Sequence, residues 1–495
     1  AAAGGEVGFL TPYTTDRQGA LGYNTNTAPL DYSLPNGQGQ AGTSFAAPQI
    51  AGIAALLLSV NTNLSYRDVQ QILIHSARHF EPADGDLKQN GAGFVVSHND
   101  GYGVPDAGVA VRLAQNWITR PLLMLLSFDA DQSGPRSAPD DGLRVLVPSA
   151  PGSLSSIPAT PSVGVHPDSP TAVLPLVDIG LATNVPGMSL TGKAALIQRG
   201  GGNNFASKIT NAALAGAEFA VIYNNTGTTN RLVMTSVEYT PIPAVFISQN
   251  DGLALKNFAQ TNAGGASAQL KVFDTNVTFT VTNKLLLEHV TVAVQITCRR
   301  GDVRLTLTSP QGTRSVLQRV NNDTNTVGLV VWSYASTHHF YESSAGTWTL
   351  SVADQAPGQL TTLQAATLHL RGVPINDSDN DGLDDDWELA QFGSLAQGPK
   401  DDPDKDGLNN MREQILGTHP NVMNPIVVDY SPWNASLARV SWPGSTNFTY
   451  DVFAGSDVAN LTVATNLAGK FPENEWFGSA TNAMQFFKVR AVPRP

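Results

Sequence analysis

Apolar residues recur along this chain in different rhythms, and the changes of rhythm divide it. From Gly42 to Leu58 the chain is rich in Ala and Leu, and Ile50, Ile53, Leu57 and Leu58 return at helical spacing. This predicts a helix with Ser44 at its N-terminus and Pro48 in its first turn, where the missing N–H costs nothing. Gly52 is expected to let that helix pack closely on a neighbour. Ser65 with Asp68 three residues later predicts a capped second helix, with Val69, Ile72 and Leu73 on its apolar face. The Gly-rich run 101–108 opens a third. Residues 122–141 mix Pro, Ser, Gly and charge and read as linker. Strand and helix then alternate: strand 194–198, helix 204–214, strands 219–223 and 245–248, helix 249–259. From 273 to 373 period two takes over, clearest in 290–297 and 303–308. The tail has short alternating runs at 437–442, 450–454 and 486–492 between Asn, Thr and Gly turns, which predicts a small β-sandwich.

Composition narrows this picture. A chain of 495 residues is too long for one domain, and about three to five are expected. Charged residues make up 14% and the net charge is −12, which argues against a nucleic-acid partner. The acidity is local: residues 376–413 hold twelve Asp or Glu and three Lys or Arg. Cys298 is the one cysteine, so no intrachain disulfide forms, and its apolar alternating run predicts a buried, inert thiol. Uncharged apolar runs such as 121–128 are too short to cross a bilayer, so no transmembrane segment is expected. The opening residues Ala1 to Glu6 lack the basic and apolar regions of a signal peptide and read as the interior of a domain in a larger precursor.

The acidic stretch has an internal repeat. Asp377, Asp379, Asp381, Gly382 and Glu388 are matched 25 residues on by Asp402, Asp404, Asp406, Gly407 and Glu413. Both satisfy the twelve-residue pattern of an EF-hand-type loop from end to end. Ca²⁺ takes about six to eight oxygens, and carboxylates at alternate positions converge on it around the Gly turn. Asp385 and Asn410 hold the ninth position, Glu388 and Glu413 the twelfth, and Leu383 and Leu408 offer backbone carbonyls. The alternative is an acidic linker. Ca²⁺ is the only cofactor expected, and the Asp-rich loops resemble those of thrombospondin type 3 and dockerin-like modules. A full EF-hand is not expected, since no long helix precedes Asp377.

Ser44 at a helix start sits beside backbone N–H groups that can stabilise an oxyanion. The bland reading is a serine that caps a helix. The run Gly42-Thr43-Ser44-Phe45-Ala46-Ala47-Pro48, followed by Ala51-Gly52, resembles the serine box of the subtilisin-like proteases. The resemblance implies that residues 1–120 are the C-terminal part of an α/β peptidase domain and that Ser44 is its nucleophile. Ala3 to Val7, Thr14 to Asp16, and the Gly101-Tyr102-Gly103 run leading to Asp106 and Ala107 resemble other segments of that domain. The run 192–200, with Phe205-Ala206-Ser207-Lys208 and Val221 to Asn224, resembles the protease-associated domain, implying an α/β unit over 142–272. Gly301-Asp302-Val303, Trp332, Gly346-Thr347-Trp348 and Asp354 resemble the P domain of kexin and furin-like proteases, implying a β jelly roll over 273–374. Residues 376–420 then carry the calcium loops, and 425–495 the small β-sandwich.

In that family a His takes the proton of the Ser and an Asp orients the His, in the chain order Asp, His, Ser. No His precedes Ser44, and Asp16 and Asp31 lie in no family motif. The catalytic Asp and His are therefore expected upstream of residue 1, and this chain alone is expected to be inactive. His75, His79 and His98 match no catalytic motif. His75 and His79 stand four apart on the predicted second helix and read as ordinary helix-face residues. The expected function is a secreted, calcium-binding serine endopeptidase acting on proteins or peptides, extracellular and bacterial, or at a cell surface. The C-terminal modules are candidates for cell-surface or matrix contact. The rival is a calcium-dependent adhesion protein with an inactive protease remnant.

Overall fold

The computed structural model describes residues 42–80, 84–167, 170–262, 265–321, 323 and 325–422, with residues 2, 15, 17 and 21 before them and, in the tail, 429–432, 437–443, 448–457, 460–469, 473–479 and 486–493. The chain forms two compact units, Ala1–His75 with Phe80–Gly382 and Ser76–His79 with Leu383–Pro495.

In the first unit, α1 (Thr43–Val60), α2 (Tyr66–His75) and α3 (Ala107–Gln115) share a small core of Leu57, Leu64, Ile72, Ala110 and Ala114. The start of α2 is a reciprocal box. Asp68 accepts from Ser65 N–H at 2.8 Å and from the Ser65 hydroxyl at 2.6 Å, and Ser65 Oγ accepts from Asp68 N–H at 3.3 Å. Asp106 caps α3, accepting from Val109 N–H at 2.8 Å. Three expectations about these helices change. Pro48 is the sixth residue of α1, not in its first turn, because the helix already begins at Thr43. Its missing N–H therefore removes the bond that the Ser44 carbonyl would otherwise accept. Gly52 meets no atom within 4 Å of the Cβ it lacks, so it mediates no close packing among the described residues. His79 lies beyond α2, which ends at His75, so the two histidines do not share a helix face.

A second layer in this unit is an eight-stranded sheet. Its order is Ser156–Pro158, Leu143–Leu146, Ala266–Val272, Leu174–Asp178, Ala194–Gln198, Phe219–Tyr223, Ala244–Ile247 and Thr160–Pro161. The four strands from Leu174 to Ile247 pair in parallel. Such strands are covered on both faces and so run continuously apolar. Ala194 and Leu196 join one core with Leu255 of α5 (Gln249–Thr261), while Ala195 and Ile197 join another with Ile209 of α4 (Phe205–Leu214).

Two antiparallel sheets follow, with inner faces that form one core containing Val277, Leu305 and Trp348 from one sheet and Val292, Ile296 and Leu368 from the other. The first runs Thr275–Val281, Gly346–Asp354, Val303–Thr308, Arg314–Gln318. The second runs Val327–Ser336, Leu285–Arg299, Thr362–Pro374, Met124–Asp129. Met124–Asp129 falls in the stretch expected to be linker. It is instead an edge strand, in register with Thr367 to Gly372, and Arg136–Ser137 pairs with the same long strand. Its pairing partner lies some 240 residues away, so the chain enters the β-rich body before the α/β unit and returns to it afterwards. Cys298 is buried in that body, and burial pushes its thiol up to about 11, as expected of an inert cysteine.

In the second unit, α6 (Asp385–Phe392) and α7 (Asn410–Leu416) each end on a left-handed glycine, Gly393 and Gly417. The tail forms two three-stranded sheets that share Val440, Trp442, Tyr450, Val452 and Val489.

Candidate active site and candidate metal centres

Ser44 is the second residue of α1 and is exposed. The helix opens at Gly42, whose φ of 114° is a conformation glycine adopts without strain, and the Gly42 carbonyl accepts from Phe45 N–H at 3.0 Å. Leu57 is the only buried residue of α1, while Leu56 and Leu58 are exposed. At 18 residues without charge, α1 is long and apolar enough to cross a membrane by length and composition, a test it meets although no transmembrane segment was expected.

Five of the described histidines have partners other than Ser44. His75 Nε2 lies 3.4 Å from the Tyr341 hydroxyl, with its ring among Phe94, Trp117 and Tyr341. His98 bonds Asp86, His338 faces the Ser97 carbonyl, His339 pairs with Glu342, and His369 meets the Ser127 hydroxyl. None of these hydrogen bonds goes to Ser44. Asp16, Asp31 and the loop 35–41 lie outside the described residues, as do Ala3 to Val7.

The two acidic repeats have one backbone conformation. The fourth loop position is left-handed in both, with φ of 66° at Asn380 and 62° at Lys405, and the sixth is glycine with φ of 99° at Gly382 and 97° at Gly407. The amide of that glycine reaches back to the first aspartate, Gly382 to Asp377 Oδ2 at 3.2 Å and Gly407 to Asp402 Oδ2 at 3.1 Å. Asp377, Asp379 and Asp381 each bring a carboxylate oxygen within 4.8 Å of the others, and Asp402, Asp404 and Asp406 do the same. Like charges this close repel unless a cation lies among them.

The second loop lies wholly in the second unit. There Asn410 and Glu413 are both fully buried at the start of α7, which Asn409 caps by accepting from Arg412 N–H at 3.0 Å. Asp402 Oδ1, Asp404 Oδ2, Asn410 Oδ1 and Glu413 Oε2 are buried oxygens without a hydrogen-bond partner. Burial, with Asp406 and Asp402 adding, pushes Asp404 up to about 6, and burial with Asp404 pushes Glu413 up to about 7. Orphaned oxygens and depressed acidity are what a hard cation would relieve. Leu408 is half-buried in this loop. Of the first loop, Asp377, Asp379 and Asp381 belong to the first unit, where Lys284 Nζ donates to the Asp377 carbonyl; Leu383, Asp385 and Glu388 are buried residues of the second unit. No long helix precedes Asp377; the strand Thr362–Pro374 does.

Sequence reasoning missed the polar ties around these elements. Asn90 donates to the carbonyls of His338 and Phe340, both at 3.0 Å, and Gly91 N–H donates to Glu342 at 2.6 Å. Nothing in the sequence pattern marks partners some 250 residues apart.

Three stretches of the chain match known families. Residues 2–103 match the Subtilase family, 165–255 the PA domain, and 287–370 the Proprotein convertase P-domain. Rat proprotein convertase subtilisin/kexin type 6 is 39% identical over 126 residues, 26% of this chain and 13% of that protein. Fruit-fly furin-like protease 1, isoform 1-CRR, is 48% identical over 80 residues, 16% of this chain and 7% of that protein. The chain thus spans well under a fifth of the length of these relatives. The crystal structure of the serine protease of Aeromonas sobria aligns with a TM-score of 0.39 at 19% identity, over 74% of this chain and 53% of that one, too low a likeness to carry an argument. The chain is similar in these stretches to kexin-like proteases, and it is a multidomain protein with α/β and β-rich parts.

Proposed function

We propose that this chain is part of an extracellular, calcium-binding serine endopeptidase of the subtilisin-like, kexin-type class, with Ser44 as its nucleophile. The observation that carries the reading is the intact serine box at the exposed first turn of α1, inside the stretch matched to the Subtilase family. Ser44 Oγ would attack a peptide carbonyl and give its proton to a histidine base, with N–H groups at the helix start stabilising the oxyanion. His75, His98, His338, His339 and His369 bond other groups, and the base and the aspartate that orients it would come from other residues.

Two Ca²⁺ ions complete the reading. Asp377, Asp379, Asp381, Asp385 and Glu388 with the Leu383 carbonyl would hold one. Asp402, Asp404, Asp406, Asn410 and Glu413 with the Leu408 carbonyl would hold the other. Bound Ca²⁺ would neutralise the carboxylates and order the loops. Loops of this kind in extracellular modules bind at about 10⁻⁴–10⁻³ M, which suits Ca²⁺ outside the cell. The P-domain match supports the expected jelly roll, and the tail supports a small β-sandwich.

The rival is a calcium-dependent extracellular binding protein with an inactive protease remnant; His75, His98, His338, His339 and His369 all meet groups other than Ser44, which is compatible with it. Hydrolysis of a fluorescent casein by the natural protein separates the two. The enzyme reading requires turnover that is lost in Ser44→Ala; turnover that persists in that variant, or none at all with saturating Ca²⁺, contradicts it.

A further inference from the structure

A cavity of about 330 Å³ lies in the first unit where three stretches meet: residues 84–98 after α2, loops of the eight-stranded sheet at His166 and Pro241, and the strands Val303–Thr308 and Arg314–Gln318. Its charge is unbalanced. Arg304 is 7% exposed, and its Nε is buried without a hydrogen-bond partner. Among the described residues no carboxylate hydrogen-bonds its guanidinium. Burial, then the nearby Arg319 and Arg314, push that guanidinium down to about 9.

Among the other lining groups Asp86 offsets this charge only weakly and makes no hydrogen bond to Arg304. Asp86 is the one carboxylate, and its Oδ2 is taken by His98, by Nδ1–H at 2.8 Å and by the backbone N–H at 2.6 Å. His98 Nε2 accepts from Val316 N–H at 2.7 Å, which leaves the ring proton on Nδ1. His166 Nδ1 lies 3.0 Å from the Pro167 carbonyl and so carries its proton, while Nε2 accepts from the Gln355 amide at 3.1 Å. His166 is therefore neutral, and burial with Arg304 and Arg314 holds its pKa well below the usual range. His338 Nε2 faces the Ser97 carbonyl at 3.3 Å, and its buried Nδ1 has no partner. Lys88 and Arg314 add cationic rim groups. Arg319 stands behind them, donating to the Val163 carbonyl at 2.9 Å.

A buried guanidinium that no carboxylate hydrogen-bonds is costly, and a planar fork matches carboxylate and phosphate oxygens. We propose that this cavity binds a small anion of the carboxylate or phosphate class, held by Arg304 and Arg314 with Lys88 at the rim, so that the anion braces the α/β unit against the β-rich body. The site is separate from Ser44 and from the acidic loops, and the inference does not depend on the peptidase reading.

Thermal unfolding of the chelator-treated chain, titrated with malonate or inorganic phosphate at ionic strength fixed with chloride, tests this. The midpoint of the first unit should rise and saturate with at least one of the two. A response to malonate alone assigns a carboxylate, and to phosphate alone a phosphate. Arg304→Met should weaken binding at least about tenfold. Arg314→Gln, a change at an exposed residue, should weaken it too and carries the test if Arg304→Met does not fold. No saturable response to either anion, or an undiminished response in the folded variants, overturns the proposal.

Discussion

Arg67 of α2 and Glu288 of the strand Leu285–Arg299 form a two-pronged ion pair, Nε to Oε2 at 2.9 Å and Nη2 to Oε1 at 2.5 Å. Both residues are buried, at 8% and 2% exposure. The Arg67 Nη1 also donates to the Pro121 carbonyl at 2.7 Å, so the guanidinium is well satisfied. Nearby, the Tyr341 hydroxyl donates to Gln71 Oε1 at 2.5 Å. Helix α2 is thus tied to the β-rich body by polar contacts as well as by the packing of His75 on Tyr341.

Removing one partner of that pair leaves a buried charge uncompensated. Glu288→Ala should destabilise the first unit by about 3–5 kcal/mol, whereas Arg67→Met with Glu288→Leu should cost much less. Chemical denaturation followed by intrinsic fluorescence checks both. A single variant as stable as the parent would show that the pair does not couple the two parts.

The buried Asp354 gives a pH dependence of defined sign. Burial pushes its carboxyl up to about 6, although Thr361 N–H donates to it at 3.0 Å. An unfolded Asp titrates near about 3.9, so folding takes up a proton between these values. The stability this contributes is present below the unfolded pKa and is lost as pH rises through about 6. Asp354→Asn should remove that slope from unfolding midpoints measured between about pH 4 and 7. An unchanged slope would refute the assignment.

How much of this was legible varies with the range of the interaction. Ala194–Gln198, Phe219–Tyr223 and the capping box of Ser65 and Asp68 were read correctly, because a continuous apolar run and an i,i+3 cap are local signals. Met124–Asp129 reads as linker because the Pro, Ser, Gly and charge that follow it mask a short apolar run, and its pairing partner lies far along the chain. Pro48 was misplaced because a first-turn proline and a proline one turn later look alike in sequence. The acidic loops were legible through residue spacing, but the matching left-handed turns at Asn380 and Lys405 were not, since neither is glycine. The Arg304 cavity was invisible, being assembled from residues as distant as Asp86 and His338.

The acidic loops predict a metal-dependent second unit. Its α7 buries little apolar surface, with Met411 the buried apolar residue of the helix, so a bound ion would act as a staple. Ca²⁺ should protect residues 376–419 from proteolysis, and Asp377→Ala with Asp402→Ala should abolish that protection. Calorimetry should find two ions per chain in the parent. No Ca²⁺ heat at millimolar metal would reduce the stretch to an acidic linker.

The central claim is the role of Ser44, and covalent labelling tests it most directly. A fluorophosphonate reacts with a serine activated by a neighbouring base and spares ordinary hydroxyls. Treatment of the natural protein, followed by peptide mass mapping, should place the adduct on Ser44. Ser44→Ala should lose the label while keeping its Ca²⁺-dependent protection, which shows that the variant is folded. An adduct on another serine, or equal labelling of Ser44→Ala, would contradict the account.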